Sequence, residues 1–171
     1  MVTLRPVDRN DLILLDTWRN DREHESEYGD FLAAHRHRTG TAEHWEVNGL
    51  LSEDDGVLLI CSDGDPVGSV QWHPVQYGPN RGSQAVNLGI SIAPSARSQG
   101  IGSRAQRLLA DYLFAHTTVH RVEASTDITN LAEQTALDRA GFTREGVLRG
   151  AQFRHGEWHD LVVYSRLRTD T

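Results

Sequence analysis

The sequence predicts an α/β (α+β) fold, and three observations carry that prediction. Between Ala85 and Gly141 the apolar pattern alternates strand, helix, strand, helix, an order that sets two strands parallel with a helix crossing between them. Two turns flanked by alternating runs, Asp63-Gly64-Asp65 and His155-Gly156-Glu157, read as antiparallel hairpins, so the sheet is mixed. With 171 residues, 38% hydrophobic and 24% charged, the chain can bury one core, and a single domain over residues 1–171 is the expectation.

The elements follow in order. Val2–Arg5 alternates as a short strand. Asp8 stands three residues before Asp11, ahead of Leu12, Leu15 and Trp18 at helical spacing, which predicts an N-capped helix. From Asp21 to Glu46 the periodicity loosens and carboxylates collect: Asp21, Glu23, Glu25, Glu27, Asp30, Glu43 and Glu46. A second helix is expected over Thr41–Leu51. Val57–Ser62 and Pro66–His73 flank the first hairpin turn, and residues 75–82, with Pro79, Asn80 and two glycines, read as a loop. Ala85–Ile92 is a strand that stops before Pro94. Ile101, Ala105, Leu108, Leu109, Tyr112 and Leu113 then form the strongest helical stripe in the chain. Arg121–Thr126 is a strand. Asn130 caps a helix with Ala132, Ala136, Leu137 and Ala140 inward and Gly141 as its stop. Phe142–Gln152 and Trp158–Leu167 close the chain as an antiparallel pair.

Composition excludes several functions. No apolar run approaches the roughly 18 to 20 residues of a membrane span. A formal charge of −7 disfavours a nucleic-acid partner and favours a cationic one. The single cysteine, Cys61, lies in an apolar strand and leaves no internal disulfide. Arg5, Asp8 and Arg9 interrupt any signal-peptide core, so a cytoplasmic location is expected. His35-x-His37 and the pair His155 and His159 lack the further ligands that a metal site needs, and no metal is expected.

The chemistry concentrates in Arg97-Ser98-Gln99-Gly100-Ile101-Gly102, a loop that follows a strand and opens the strongest helix. Glycines let backbone approach a ligand, and the unpaired amides of a helix's first turn, aided by its dipole, attract an anion. Arg97 and Arg104 can add charge. A plain tight turn would read the same way, and there is no Gly-Lys-Ser/Thr and no N-terminal βαβ unit to support a Walker or dinucleotide-binding site.

Arg97-x-x-Gly100-x-Gly102 resembles the pyrophosphate loop of the GNAT superfamily of acetyl-CoA-dependent N-acetyltransferases. Asn130-Leu131-Ala132 through Ala140-Gly141-Phe142, Glu145-Gly146-Val147-Leu148-Arg149 and Gly156-Glu157-Trp158-His159-Asp160 with Tyr164 resemble its RimJ/RimL branch, as does Trp18-Arg19-Asn20-Asp21. That branch acetylates protein N-termini and, in relatives, small amines. The resemblance implies a central, mixed, twisted sheet of about seven strands with helices on both faces and a splayed parallel strand pair that binds the cofactor. It also implies direct transfer from acetyl-CoA to a primary amine, without metal, and a homodimer as in many relatives.

Carried over residue by residue, the backbone near Ile90 and Ile92 would pair with the pantetheine arm. The diphosphate would sit on Ser98, Gln99, Gly100, Ile101, Gly102 and Ser103, beside Arg97, and Asn130 would approach the thioester unless capping occupies it. The usual proton-transfer groups are altered: Asn87 stands at the strand position often held by glutamate, Leu137 at the tyrosine position, and Gln152 at that of a second carboxylate. Glu133 replaces a serine thought to face sulfur. It is either an acid or base or the N3 member of a capping box with Asn130. Glu123 and Asp127 are further candidate bases. Acceptor recognition would fall to Asp21–Glu46 and His73–Ser83, with Trp18, Glu25, Tyr28, Trp72 and Asn87 as the candidate contacts for a small cationic amine or a protein N-terminus. The altered proton-transfer positions also fit a different class, a non-catalytic acyl-CoA-binding module.

Overall fold

The computed structural model describes residues 1–29, 41–52 and 54–170. The side chain of Glu25, together with His35 and His37, lies outside the described residues. Seven strands form one sheet: β1 (Val2–Pro6), β2 (Gly56–Ser62), β3 (Asp65–Gln76), β4 (Gln84–Ile92), β5 (Arg121–Asp127), β6 (Thr143–Arg154) and β7 (Glu157–Leu167). Their spatial order is β1-β2-β3-β4-β5-β7-β6. Neighbours are antiparallel except β4 and β5, which run parallel as expected.

The helices are α1 (Leu12–Asn20), α2 (Arg22–Gly29), α3 (Thr41–Asn48), α4 (Ile101–His116) and α5 (Leu131–Ala140). β2 shows why both faces of the sheet are covered. Leu58 and Ile60 pack toward Ile101, Ala105, Leu109 and Leu113 of α4, whereas Leu59 between them packs toward Leu12 and Leu15 of α1. A continuous apolar run thereby serves two cores, with successive side chains on opposite faces. Trp45 of α3 completes the α1 side, its indole N–H donating to the Val7 carbonyl at 2.9 Å.

Local chemistry sets the boundaries. Asp8 accepts from the amide of Asn10, and the Asp11 carboxylate accepts from the Asp8 amide at 2.7 Å, so the predicted cap is a reciprocal box on a 3-10 turn leading into α1. Two elements differ from expectation. α3 stops at Asn48 rather than Leu51, because Gly49 and Leu50 take left-handed backbone, with φ of 67° and 60°. The acidic stretch after Asp21 contains a helix, α2, kinked where Ser26 adopts φ 61° and ψ 169°.

Candidate active site

β4 and β5 are registered only at Val86 with Val122 and Asn87 with Glu123. Beyond these pairs they separate, while β4 stays bonded to β3 out to Ile92 and β5 to β7 out to Asp127. The backbone edge of β4 from Leu88 to Ile92 therefore faces a slot rather than a strand. The slot leads into a cavity of about 390 Å³ lined by Ile90, Ile92, Ser98, Gly100, Gly102 and Ser103, and closed on the other side by α5. Gly100, at φ 72°, is the N-cap of α4, and Ser98 also has positive φ, at 60°. The first intrahelical bond runs from the Arg104 amide to the Gly100 carbonyl at 3.4 Å. The amides of Ile101, Gly102 and Ser103 thus precede any i−4 partner and open toward the cavity. A Cβ at Gly102 would meet Ile92 Cδ1 at 3.4 Å and Ala136 Cβ at 3.9 Å, so the glycine keeps the space between α4 and α5 open. A strand edge with free amide groups, followed by an anion-attracting helix start, fits a pantetheine diphosphate.

The loop side chains divide. Gln99 does not line the cavity, and its amide donates to the Ser95 carbonyl at 2.9 Å. Arg97 lines it, but its guanidinium is engaged by three carbonyls, those of Ile92 (3.0 Å), Glu23 (2.7 Å) and His24 (2.8 Å). It ties α2 to the end of β4 rather than standing free for a phosphate. Arg104 is exposed and outside the lining; Arg139 of α5 supplies the cation there instead.

Glu133 lies at the α5 wall of the cavity. Half of the expected capping box forms: Asn130 Oδ1 accepts from the Glu133 amide at 3.2 Å. The return bond does not, because the Asn130 amide donates to the Asp127 carbonyl and the Glu133 carboxylate accepts from Gln106 Nε2 of α4 at 2.8 Å. Burial raises the Glu133 carboxyl to about 7, against the lowering effect of Gln106. Asn130 Nδ2 donates to Thr126 Oγ1 at 3.0 Å, so its side chain is used at both ends to fasten α5 to β5. Leu137, at 0% exposure, is core.

A second cavity, of about 730 Å³, opens on the sheet face away from α4, over the paired part of β4 and β5. Asn87 and Glu123 stand side by side on its floor. Glu123 Oε2 accepts from Tyr77 Oη at 2.8 Å and from Arg121 Nε at 2.9 Å, and its Oε1 has no hydrogen-bond partner among the described residues. Arg121 also forks onto Glu145, which with the Ser165 hydroxyl holds that carboxyl well below the usual range.

The candidate Asp127 is committed elsewhere. It is buried, which would raise its proton affinity, but the Thr129 hydroxyl and amide and the Arg154 guanidinium overcome this and hold it low. Arg154 also reaches the Tyr28 carbonyl and Gln152 Oε1, and its guanidinium lies 5.4 Å from the Tyr28 ring, joining α2 to the last hairpin. His159 faces Asp127 and the Arg154 carbonyl. Among the described residues no group of three His, Cys, Asp or Glu could hold a metal, and no helix is long and apolar enough to cross a membrane.

The acceptor candidates are not gathered together. Tyr28 lines the first cavity and Asn87 the second. Trp18 stacks on His24, with ring centroids 4.9 Å apart. Trp72 is a correction: at 4% exposure it belongs to the α4 core, against Tyr112, and it lines neither of these two cavities. Sequence reasoning missed Gln106, Tyr77, Arg139 and His24. Arg139 carried a signal, since it falls on the same helical face as Ala132 and Ala136.

Comparison with known proteins agrees with this geometry. Probable N-acetyltransferase YjcK of Bacillus subtilis is 30% identical over 113 residues, covering 66% of this chain and 61% of that protein, so the chain spans under two thirds of this relative. An aminoglycoside N(6')-acetyltransferase type 1 of Klebsiella pneumoniae is 25% identical over 157 residues, covering 86% and 76%. Mycobacterium smegmatis RimJ, solved in complex with CoA-disulfide, superposes with a TM-score of 0.78 at 25% identity, covering 97% of this chain and 81% of its own. The model of the GNAT acetyltransferase domain matches residues 1–143, and on that match the chain belongs to the GNAT acetyltransferase family.

Proposed function

We propose that the chain is an acetyl-CoA-dependent N-acetyltransferase that moves acetyl directly to a primary amine. The observation that carries this reading is the slot between β4 and β5, continued by the open amides at the start of α4, with a carboxyl of raised proton affinity on its wall. In this reading the β4 edge near Ile90 and Ile92 binds the pantetheine amides. The amides of residues 98–103 hold the diphosphate, with Arg139 in place of Arg97 as the neighbouring cation.

The acceptor must lose a proton before its lone pair can attack. Glu123, with Oε1 unpartnered beside Asn87, accepts that proton from an amine entering through the second cavity. Glu133 delivers a proton to the departing sulfur, and Asn130 positions Glu133 by capping α5. Holding amine and thioester together supplies much of the rate. The acceptor is a small cationic amine, of the aminoglycoside or metabolite kind, or a protein N-terminus. The net charge of −7 and the carboxylates around the second cavity support the small cation. We also read the chain as one cytoplasmic domain, consistent with its lone buried Cys61, and as a homodimer by analogy with relatives.

The test is acetyl-CoA-dependent thiol release against a panel of aminoglycosides, polyamines, amino acids and N-terminal peptides. Saturable release with one member establishes the enzyme and its acceptor class. Cofactor binding without release across the panel overturns the catalytic reading in favour of an acyl-CoA-binding module.

A further inference from the structure

We propose that Gln106 is a positioning residue that clamps Glu133 in both of its protonation states and thereby makes that carboxyl a proton store at the sulfur end of the slot. The inference rests on the proton-donating role given to Glu133 above and adds the residue that maintains it.

Gln106 occupies a place where the α4 pattern calls for an apolar residue. Its neighbours Ala105, Leu109, Ala110 and Leu113 are core, and Gln106 itself has 0% exposure. A polar amide is costly there unless both of its ends are used. Nε2 donates to Glu133 Oε1 at 2.8 Å, but Oε1 of Gln106 is buried without any partner among the described residues. An ionised Glu133 cannot supply one, having no proton to give. A neutral Glu133 can: its O–H donates to Gln106 Oε1 while its other oxygen keeps the Nε2 bond. The orphan oxygen is thus explained by the acid form, and the observed bond by the carboxylate form.

The other titratable or charged groups lining this cavity are His24 and Tyr28 of α2, Arg97 of the loop and Arg139 of α5. β4 presents only Ile90, Ser91 and Ile92. Burial and Arg97 lower the proton affinity of His24, and Arg97 is spent on carbonyls. Gln106 is therefore the group that hydrogen-bonds the Glu133 carboxyl. In turnover the C–S bond breaks, its electron pair goes to sulfur, and Glu133 passes its proton to that sulfur. The carboxylate left behind is held by Nε2, and it is reprotonated through solvent by the proton the amine released.

The test is a titration of the Glu133 carboxyl by difference infrared spectroscopy, with the band assigned by its loss in Glu133→Gln. Gln106→Met removes both bonds at similar volume. Gln106→Asn withdraws the amide from reach and guards against a Met variant that does not fold. Each should shift the carbonyl stretch of the protonated carboxyl at the acid end of the titration and the carboxylate stretch at the alkaline end, because each protonation state loses a bond to Gln106. A band unmoved at either end in a folded variant overturns the clamp. Bands that both move while Glu133→Gln leaves the pH–rate profile unaltered uphold the clamp and refute the proton-donating role of Glu133.

Discussion

Replacing Glu133 by Gln tests the burial of this carboxyl without any assumption about the acceptor. The folded protein raises its proton affinity from the ordinary 4.5 to about 7, with burial as the main cause. A raised carboxyl binds its proton more tightly when folded, so its contribution to stability is full below pH 4.5 and is lost as pH rises through about 7. At 1.36 kcal/mol per pH unit the gap corresponds to at most about 3 kcal/mol, and partial exposure to the cavity reduces it to about 2 kcal/mol. Glu133→Gln keeps a hydrogen-bonding group for Gln106 and carries no charge. The assay is urea denaturation of both proteins at pH 5 and pH 8. The difference between variant and parent should be small at pH 5, and at pH 8 the variant should gain about 2 kcal/mol relative to the parent. Parallel stability curves across this range would refute the assignment of a buried, ionisable carboxyl to the slot.

Other outcomes are equally concrete. Gly102→Asp places a carboxylate among the open amides of α4 and should weaken acetyl-CoA binding about tenfold or more by calorimetry; Gly102→Ala, whose Cβ makes only ordinary contact, should weaken it far less. Arg154→Met leaves the buried Asp127 without its guanidinium, with only Thr129 and His159 facing it among the described residues, and a loss of about 3 kcal/mol in chemical denaturation is expected. For Glu123→Gln, kcat should fall while acetyl-CoA affinity holds, and unchanged turnover would remove Glu123 as the base. Burial lowers the proton affinity of His24, so its contribution to stability is present above the ordinary 6.5 and is lost as pH falls. His24→Phe should flatten that acid-side decline in thermal melts.

Features set by nearby residues were legible in the sequence. The Asp8–Asp11 box, the Gly141 stop and the glycine-containing loop before α4 depend on a few adjacent positions, and each stands where the pattern predicts. Trp72 was legible too: alternation in β3 sets it on the same face as the buried Val70, with Gln71 and His73 opposite, so its place beside the His73–Ser83 segment was the weaker guide. Glu133 shows where local reading stops. Asn130-x-x-Glu133 has capping-box spacing, but Gln106 on another helix competes for the carboxylate and wins. The approach of Asn87 to Glu123 likewise depends on a parallel register between strands separated by a whole helix, which no short motif encodes.

The gap between β4 and β5 also bears on solubility. An unpaired strand edge usually invites another chain to add to it, and proteins guard such edges with charge, proline or bulges. Here the inward edge of β4 carries the unguarded run Leu88-Gly89-Ile90-Ser91-Ile92, yet it lies inside the sheet, with β5 on the far side of the slot and α4 and α5 beside it. Under the proposed function, a narrow ligand bearing amide groups adds there as a strand would. On that reading the fold keeps an adhesive strand edge within the sheet, flanked by its own elements, rather than at the sheet's outer rim.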